Sequence, residues 1–336
     1  MIVPTHQRRD PLRRALRSLA RQTAPPESFE VIVSVDGSTD GTREMLASIR
    51  DELPYALHAV DGPGHGRAAA RNVALAAAQG DVAILIDDDM DPVPAFVERH
   101  LEHHLPGSRV CVLGPVPIRL DATSPLAARY VKAKFDAHLE RLAEPEHRFA
   151  TRDFYSGNTS IRSEVLREVG GFDESFTPYG NEDVELSVRL GKAQVALRYA
   201  GEALAHQEYD KDLRGLASDT LEKGGTTVRL ARHHPDAFDA LRLASPRDNS
   251  RPWLAVRAIL LRLQRREPRV AEAIFAAAAR VERLGLWRSR LFYRALLDFA
   301  FWAGVDAEVS ESDDDGNLEK LAVELNRAPI DHLLHG

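Results

Sequence analysis

Three consecutive carboxylates, Asp87, Asp88 and Asp89, follow directly on the aliphatic run 82–86. An apolar run of this length predicts a buried strand, and ligands bind beyond the carboxyl ends of strands in open α/β sheets. Three adjacent acids repel one another unless a cation neutralises them, and their hard oxygen atoms suit Mg2+ or Mn2+. Such a cation bridges diphosphates well. The triplet therefore predicts a divalent-metal site, and the alternative is a solvated acidic turn.

A second acidic pair, Glu182 and Asp183, opens a predicted helix over 181–190, with Asn181 as its cap. Acids in the first turn are favoured by the helix dipole, which lowers their pKa, so these residues alone predict helix-start acids. His206 follows a predicted strand at 195–199, and a single histidine is more often structural than a ligand. The other histidines lack the spacing of a zinc site and are interpreted as surface residues: His100, His103, His104, His233 and His234.

Strands and helices alternate at short spacing through about residue 115. The predicted strands are 2–3 (ended by Pro4), 31–35, 55–60 and 82–86, and the predicted helices are 10–19 (starting at Asp10-Pro11), 42–49 and 67–79 (ended by Gly80). This order predicts a mostly parallel, doubly wound sheet. A polar helical cover is expected over 121–152, and a short strand over 156–162.

The C-terminal third has the apolar spacing of several helices from residue 251 onward. Residues 251–305 contain 11 basic and 4 acidic side chains, whereas residues 306–336 contain 2 basic and 9 acidic ones. Residues 310–317 are typical of a flexible acidic linker. The Arg-rich helices leave open a small bundle, a dimer surface or a membrane-surface patch, beside a plain helical appendage with solvated charged faces.

The composition is that of a globular chain, with 44% hydrophobic and 28% charged residues among 336. The net charge of −7 argues against a nucleic-acid partner. A single cysteine, Cys111 in an apolar run, excludes an internal disulfide and predicts core packing in a reducing compartment. We find neither a signal-peptide pattern nor an apolar run that could span a bilayer. A soluble, cytoplasmic protein is expected, with peripheral membrane contact left open.

Six blocks of the sequence together resemble the family 2 type of GT-A-fold glycosyltransferases, in that family's order and spacing. They are Val3–Arg8, Ser34–Thr42, Gly66–Asn72 with Gly80-Asp81 and the Asp triplet, Gly157-Asn158, Gly170–Glu174 and Asn181–Leu186. The resemblance implies the α/β GT-A (Rossmann-like) fold, a mostly parallel sheet flanked by helices, with the C-terminal α-helical region as an extension. It implies transfer of a sugar from a nucleoside-diphosphate sugar, expected to be UDP-linked, to an acceptor that the sequence does not identify.

The resemblance also implies a role for each matching residue. Asp183 matches the general base of inverting members, with Glu182 beside it, and Asp89 and His206 match metal ligands for Mn2+ or Mg2+. Gly157 and Asn158 match the sugar and acceptor side. The donor-binding positions are Pro4, Thr5, Arg8, Asp36 (the uracil contact), Arg71, Asp87 and Asp88. Without the resemblance, Asp36 is a turn or cap residue and Arg71 an ion-pair residue. Asp88 points away from its neighbours if the backbone stays extended.

The sequence predicts a nucleotide-sugar half at 1–115, an acceptor and catalytic half at 116–245, and a helical extension with an acidic tail at 246–336. Three departures from the family pattern stand out: Ala74 in place of a common glycine, Val35 in place of a common aspartate, and a nearly absent first strand. The alternatives are a retaining transferase and a nucleotide-sugar-binding scaffold without turnover. A nucleotidyltransferase usually needs a lysine-bearing, Gly-rich loop near the N-terminus, and no such loop occurs here.

Overall fold

The structure is a computed structural model that describes residues 1–245, 249–285 and 289–311. The chain forms two compact units. The first comprises residues 1–123, 132–177 and 182–209, and the second comprises residues 124–131 and 178–181 together with the chain from 210 onward. The predicted functional divisions at residues 115 and 245 stay predictions.

A seven-stranded sheet forms the centre of the first unit. Its strands are β1 (Ile2–Thr5), β2 (Glu30–Val35), β3 (Ala56–Asp61), β4 (Val82–Ile86), β6 (Val110–Leu113), β8 (Asn158–Arg162) and β9 (Ala196–Tyr199), in the order β3-β2-β1-β4-β8-β6-β9. Only β8 runs antiparallel, to both β4 and β6. A three-stranded sheet contains β5 (Met90–Pro92), β10 (Ala205–Glu208) and β7 (Ile118–Arg119), in that order. The expected mostly parallel α/β fold is confirmed.

The helices of the chain alternate with these strands and then follow them. They are α1 (Arg9–Leu19), α2 (Thr42–Ile49), α3 (Arg67–Ala77), α4 (Phe96–Leu101), α5 (Leu126–Leu142), α6 (Ser163–Glu168), α7 (Glu182–Lys192), α8 (Leu213–His233), α9 (Arg251–Arg266), α10 (Val270–Arg283) and α11 (Arg290–Glu311). The predicted cover over 121–152 therefore contains α5 and the start of a short 3-10 helix at Thr151–Asp153. Within the described residues, no helix is long and apolar enough to cross a membrane.

The first strand is longer than predicted, because Pro4 does not end it. The carbonyls of Met1 and Thr5 accept hydrogen bonds from the N–H groups of Ile32 in β2 and of Asp36 just after it, so alternate residues of β1 face β2. Pro4 faces the other neighbour, β4, whose pairing with β1 extends only to Ile2. Because a proline lacks only the N–H donor, this position in the strand loses no ladder hydrogen bond.

Distant acids accept hydrogen bonds from backbone N–H groups at two helix ends, which local sequence patterns do not reveal. The Asp40 carboxylate accepts a hydrogen bond from the Arg9 N–H at 2.8 Å, so α1 starts at Arg9 rather than at the predicted Asp10-Pro11. Glu30 Oε1 accepts from the N–H groups of Gln79 and Gly80 just beyond the end of α3. The prediction that Gly80 ends this helix is wrong, since α3 ends three residues earlier, at Ala77.

The second unit is a helical core around α8 and α11. Its largest buried side chains include Phe275, Phe299 and Trp302. A Cβ on Gly224 of α8 would overlap the Phe301 carbonyl of α11, so the two helices pack with their backbones in near contact. The predicted helices from residue 251 onward are confirmed. Ser310 and Glu311 belong to α11 rather than to a linker, and the predicted acidic tail beyond them lies outside the described residues.

Three of the histidines that the sequence predicts at the surface are buried: His234, and also His100 and His104, which lie against β8. His100 Nε2 donates to Asn158 Oδ1 at 2.7 Å, and its Nδ1 accepts from Ser160 Oγ at 2.8 Å. His104 Nε2 donates to the same Ser160 oxygen at 2.7 Å. Both rings are neutral in this network. Burial lowers the pKa of His100 to about 3 and that of His104 to about 4.

This pair makes the stability of the fold depend on pH. Because the folded pKa values lie below the ordinary value, the unfolded chain takes up protons first as the pH falls below about 6.5. We expect His100 to cost about 1.4 kcal/mol of unfolding free energy between pH 7.5 and 5.5. The difference between wild type and His100→Gln isolates this effect from that of Asp88, Asp89 and Asp183, whose raised pKa values change stability in the opposite direction. Urea unfolding at both pH values measures it, and a difference independent of pH would contradict it.

Candidate active site

One guanidinium, that of Arg8, spans two members of the Asp triplet. Its Nε donates to Asp88 Oδ1 at 2.9 Å and its Nη2 to Asp89 Oδ2 at 3.3 Å. Thr5, at the end of β1, donates its hydroxyl to the other Asp88 oxygen at 2.7 Å. The backbone turns after β4, and Asp88 and Asp89 share one cation. The extended backbone on which Asp88 would point away from its neighbours is therefore not present. Pro4 is buried within β1 and contributes backbone only.

A second guanidinium, that of Arg71 on α3, joins the triplet to the acidic pair of α7. Its Nη2 donates to Asp87 Oδ1 at 3.0 Å, and its Nη1 donates to Glu182 Oε1 at 3.3 Å and lies 3.8 Å from Asp183 Oδ1. The side chain is only 2% exposed. Burial disfavours its charge, but the three carboxylates outweigh this and raise the pKa of Arg71 above its ordinary value. One buried cation therefore keeps two acidic groups, far apart in sequence, at a common centre.

Asp183 is held in place by a second contact, from Ser156. The Ser156 hydroxyl, itself buried, donates to Asp183 Oδ1 at 2.6 Å. Burial and the neighbouring Glu182 raise the pKa of Asp183 to about 6, although Arg71 and Ser156 act in the opposite direction. The pKa shift is thus upward, contrary to the helix-dipole expectation, because desolvation and like charge exceed the dipole effect. A carboxyl group of this kind, with 27% of its side chain exposed, is suited to take up a proton near neutral pH.

The triplet has the chemistry of a site for a hard cation. Burial, followed by repulsion from Asp87 and Asp88, raises the pKa of Asp89 to about 7, so the acidic cluster is unfavourable until positive charge is added. Asp89 has the longest contacts of the three: 3.3 Å to Arg8 and 3.5 Å to Gln207 Nε2. Within the described residues, no group of three or more His, Cys, Asp or Glu side chains converges as a complete metal cage. The residues fit a cation that is bound by one or two carboxylates and by substrate phosphate.

The predicted metal ligand His206 does not face the triplet. Neighbouring side chains of a strand point to opposite faces, and Gln207 of β10 is the residue whose amide reaches Asp89. His206 pairs with Asp91 in the β5–β10 ladder, and the cations that lower its pKa, after burial, are Arg119 and Lys132. The structure therefore does not bring His206 and Asp89 together.

Gly157 and Asn158 lie beside the triplet, and each has a structural reason for its residue type. A Cβ on Gly157 would lie 2.8 Å from Asp87 Oδ2, so any larger residue would displace the Asp87 carboxylate. Asn158 is fully buried; its Nδ2 donates to the carbonyls of Pro115 and Ala203, and its Oδ1 accepts from His100. The amide group is thus committed to protein partners.

Asp36, at the end of β2, holds the Gly-rich turn that precedes α3. Its two carboxylate oxygens accept from the N–H groups of Gly64 and Gly66, at 2.6 and 2.9 Å. A Cβ on Gly62 would lie 2.7 Å from Asp36 Oδ1. The turn-organising role that the residue type predicts is therefore present, and the uracil contact stays a proposal.

Sequence reasoning missed the supporting residues of this site. Ser156 precedes the Gly157-Asn158 block by one residue, and Gln207 follows His206, so both are adjacent to recognised positions but match no motif themselves. Asn72 was part of a block without an assigned role. Its amide donates to the Phe172 carbonyl and accepts from the Phe172 N–H, both at 2.8 Å, and this places the Phe172 ring 5.1 Å from the Arg71 guanidinium.

The family of the chain follows from its match to known sequences. The profile described as glycosyl transferase family 2 matches residues 1–170, half of the chain. The chain belongs to this family. The region that matches family 2 contains the Asp triplet, Arg71 and Gly157. A second profile, described as the N-terminal domain of galactosyltransferase, matches residues 137–208, which include Glu182 and Asp183.

Named family 2 relatives share about a quarter to a third of their residues with this chain. Validoxylamine A glucosyltransferase of Streptomyces hygroscopicus subsp. limoneus is 33% identical over 214 residues, covering 56% of this chain and 47% of its own length. Pre-mycofactocin glycosyltransferase of Mycobacterium tuberculosis is 27% identical over 326 residues, covering 90% and 64%. The chain spans about half to two thirds of the length of these relatives.

Among solved structures, the mannosyltransferase PcManGT of Pyrobaculum calidifontis, determined with GDP-Man and Mn2+, has a TM-score of 0.61 at 20% identity. The match covers 93% of this chain and 87% of that one. GalNAc-T7, determined with UDP, GalNAc and Mn2+, has a TM-score of 0.51 at 14% identity and covers 68% and 46%. These likenesses show the GT-A type of fold.

Proposed function

We propose that this family 2 chain is a metal-dependent, inverting glycosyltransferase that uses a nucleoside-diphosphate sugar, with a UDP-linked donor as the first choice. The observation that carries the proposal is the Arg71 bridge, since its contacts to Asp87 and Asp183 join a donor-side acid to a candidate base. A direct displacement needs a leaving diphosphate and a proton acceptor around one reacting carbon.

In the proposed mechanism, Asp183 takes the proton of the acceptor hydroxyl while that oxygen attacks the anomeric carbon. The bond from that carbon to the diphosphate oxygen breaks, the nucleoside diphosphate leaves, and the configuration inverts. Ser156 fixes Asp183 Oδ1, which leaves Oδ2 for the acceptor proton. Asp89 would hold the divalent cation, with Asp87 nearby, and the cation when bound supplies charge stabilisation to the leaving diphosphate.

The test of the proposal is a calorimetric titration with UDP and GDP, each with and without Mn2+. We expect UDP binding that requires the metal, followed by transfer or slow hydrolysis of a UDP-sugar; UDP-glucose is tried first because a relative is named a glucosyltransferase. GDP is the matched comparison, since the PcManGT structure contains GDP-Man. Tighter binding of GDP would indicate a guanine-linked rather than a uracil-linked donor. Absence of binding to either nucleotide would contradict the proposed donor site.

Two alternatives predict different results in the same assays. A retaining transferase gives a product with the donor's anomeric configuration, which NMR of the product distinguishes from inversion. A scaffold binds donor but neither transfers nor hydrolyses it. The raised pKa of Asp183 favours catalysis over a scaffold, because binding alone does not require a basic carboxylate near neutral pH.

A further inference from the structure

The helix α9 is anchored to its own unit along one face. Arg257 donates to Asp298 Oδ2 at 3.1 Å, and Trp253 donates its ring N–H to the same oxygen at 2.7 Å. About two turns further on, Arg265 contacts Asp306 through both its Nε and its Nη2. Leu261 is buried on this face. These contacts fix the rotation of α9 about its axis, so the opposite face is held outward.

The outward face of α9 bears an apolar ridge. Val256, Ile259 and Leu263 are 45%, 56% and 45% exposed, and their spacing places them on one side of the helix. Single exposed apolar side chains are common, whereas a contiguous row marks a surface that another body covers.

Cations flank the ridge on one side. Arg262 and Arg266 lie three and seven residues after Ile259, and Arg251 lies on the same flank by helical periodicity. All three are exposed, and none forms an ion pair with a residue in the described part of the chain. The helix contains five arginines and no acidic residue. An apolar ridge beside a row of guanidinium groups is the pattern of a helix that lies in a membrane interface.

We propose that the outward face of α9 docks on the surface of an anionic phospholipid bilayer. The ridge of Val256, Ile259 and Leu263 enters the headgroup region, and Arg251, Arg262 and Arg266 contact lipid phosphates. A second copy of this face is a poorer occupant, because a two-fold interface would bring the arginine row close to its own symmetry mate. The acidic residues after 311 are opposite in charge to the arginines of α9 and could also cover this face. The vesicle assay distinguishes this acidic segment from lipid.

The test uses the complete chain in a vesicle flotation assay. Neutral phosphatidylcholine vesicles are compared with vesicles containing about one third phosphatidylglycerol, at low and high salt. We expect binding to the anionic vesicles only, weakened by salt. Arg262→Glu/Arg266→Glu should lower vesicle binding by at least about 30-fold, since each lost arginine removes about fivefold. Ile259→Asp/Leu263→Asp should abolish it.

The controls place matched changes elsewhere. Leu105→Asp alters a leucine of the first unit that is even more exposed (71%). Arg17→Glu/Arg50→Glu reproduces the change in net charge in that unit. Both variants should bind vesicles like wild type. All variants change exposed side chains, and unchanged far-UV circular dichroism verifies their folding. Failure of this assay leaves the proposed transferase activity untouched, because UDP binding is measured without lipid.

Three outcomes would overturn the proposal. The first is equal binding to neutral and anionic vesicles, or binding that the α9 variants do not change. The second is a concentration-dependent dimer in analytical ultracentrifugation that the Ile259→Asp/Leu263→Asp variant abolishes, without vesicle binding by wild type. The third is vesicle binding that occurs only after deletion of residues 312–336, which would assign the outward face to the chain's own acidic segment.

Discussion

Replacing Asp183 with asparagine is expected to lower the turnover number by about 10²–10⁴-fold, the range that general-base catalysis contributes. Asparagine keeps the shape of the side chain and can still accept the Ser156 hydrogen bond, but it cannot take up the acceptor proton. Since the contacts of Asp183 are with Ser156 and, at 3.8 Å, with Arg71, rather than with the triplet itself, the metal-dependent affinity for UDP should change little. Steady-state kinetics with a UDP-sugar, together with UDP titration, measure the two quantities separately.

The pH dependence of the rate gives a sharper test of the same residue. Because burial and Glu182 raise the pKa of Asp183 to about 6, the base is charged above that pH, and the rate should fall as the pH drops through about 6. Ser156→Ala removes a hydrogen bond that favours the charged form, so the acidic limb of the profile should move to higher pH. A merely structural role of Ser156 would lower the rate at every pH equally.

Two results would remove Asp183 from the proposed role. One is full transferase activity of the Asp183→Asn variant. The other is a Ser156→Ala profile whose acidic limb coincides with that of wild type, since the hydrogen bond at 2.6 Å would then not influence the titrating group. In the second case the group that titrates would be sought in the triplet, whose carboxyls Asp88 and Asp89 also have raised pKa values.

The sheet and its helices were predictable because their signal is local. Apolar runs with short helical spacers predicted β2, β3, β4 and the mostly parallel order, and the apolar spacing after residue 251 predicted α9 to α11. The errors occurred where distant residues decide. The Asp40 carboxylate binds the first N–H of α1, and the Glu30 carboxylate binds an N–H just beyond the end of α3. Neither acid is near the helix end in sequence, so neither contact leaves a local pattern. Asn181, predicted as the cap of α7, has a positive φ of 68°, and its amide donates to Thr226 and Thr227 of α8.

The site was predictable in its charged members and not in its supports. The Asp triplet and the Glu182-Asp183 pair are rare patterns, whereas a serine before a glycine or a glutamine in a short strand is common. A sequence also cannot show which strand face a side chain occupies when one residue of register decides it. His206 and Gln207 illustrate this, since only the position of β10 against β5 shows that the glutamine is the residue facing Asp89.

The second large effect is expected at Asp89. We expect Asp89→Ala to abolish metal-dependent binding of UDP and to lower transfer by about 10³-fold or more, because cation stabilisation of a leaving group amounts to several kcal/mol. Asp91→Ala is the matched control. Asp91 lies two residues further on and forms ion pairs with Arg21 and Arg119 outside the triplet, so UDP binding and transfer should persist. Calorimetric titration with UDP and Mn2+ compares the two variants.

Asp89→Asn should gain stability while it loses function. Burial and the two neighbouring acids raise the pKa of Asp89 to about 7, so the folded state binds a proton more tightly than the unfolded chain, and charged Asp89 is destabilising at higher pH. Neutral asparagine removes this penalty. Without metal, the melting temperature of Asp89→Asn should therefore exceed that of wild type at pH 8. The difference should vanish near pH 4, because wild-type Asp89 is then protonated in the folded state. If the variant is less stable than wild type at pH 8, then charged Asp89 stabilises the fold through its contacts with Arg8 and Gln207. The prediction that it is destabilising without a bound cation would then be wrong.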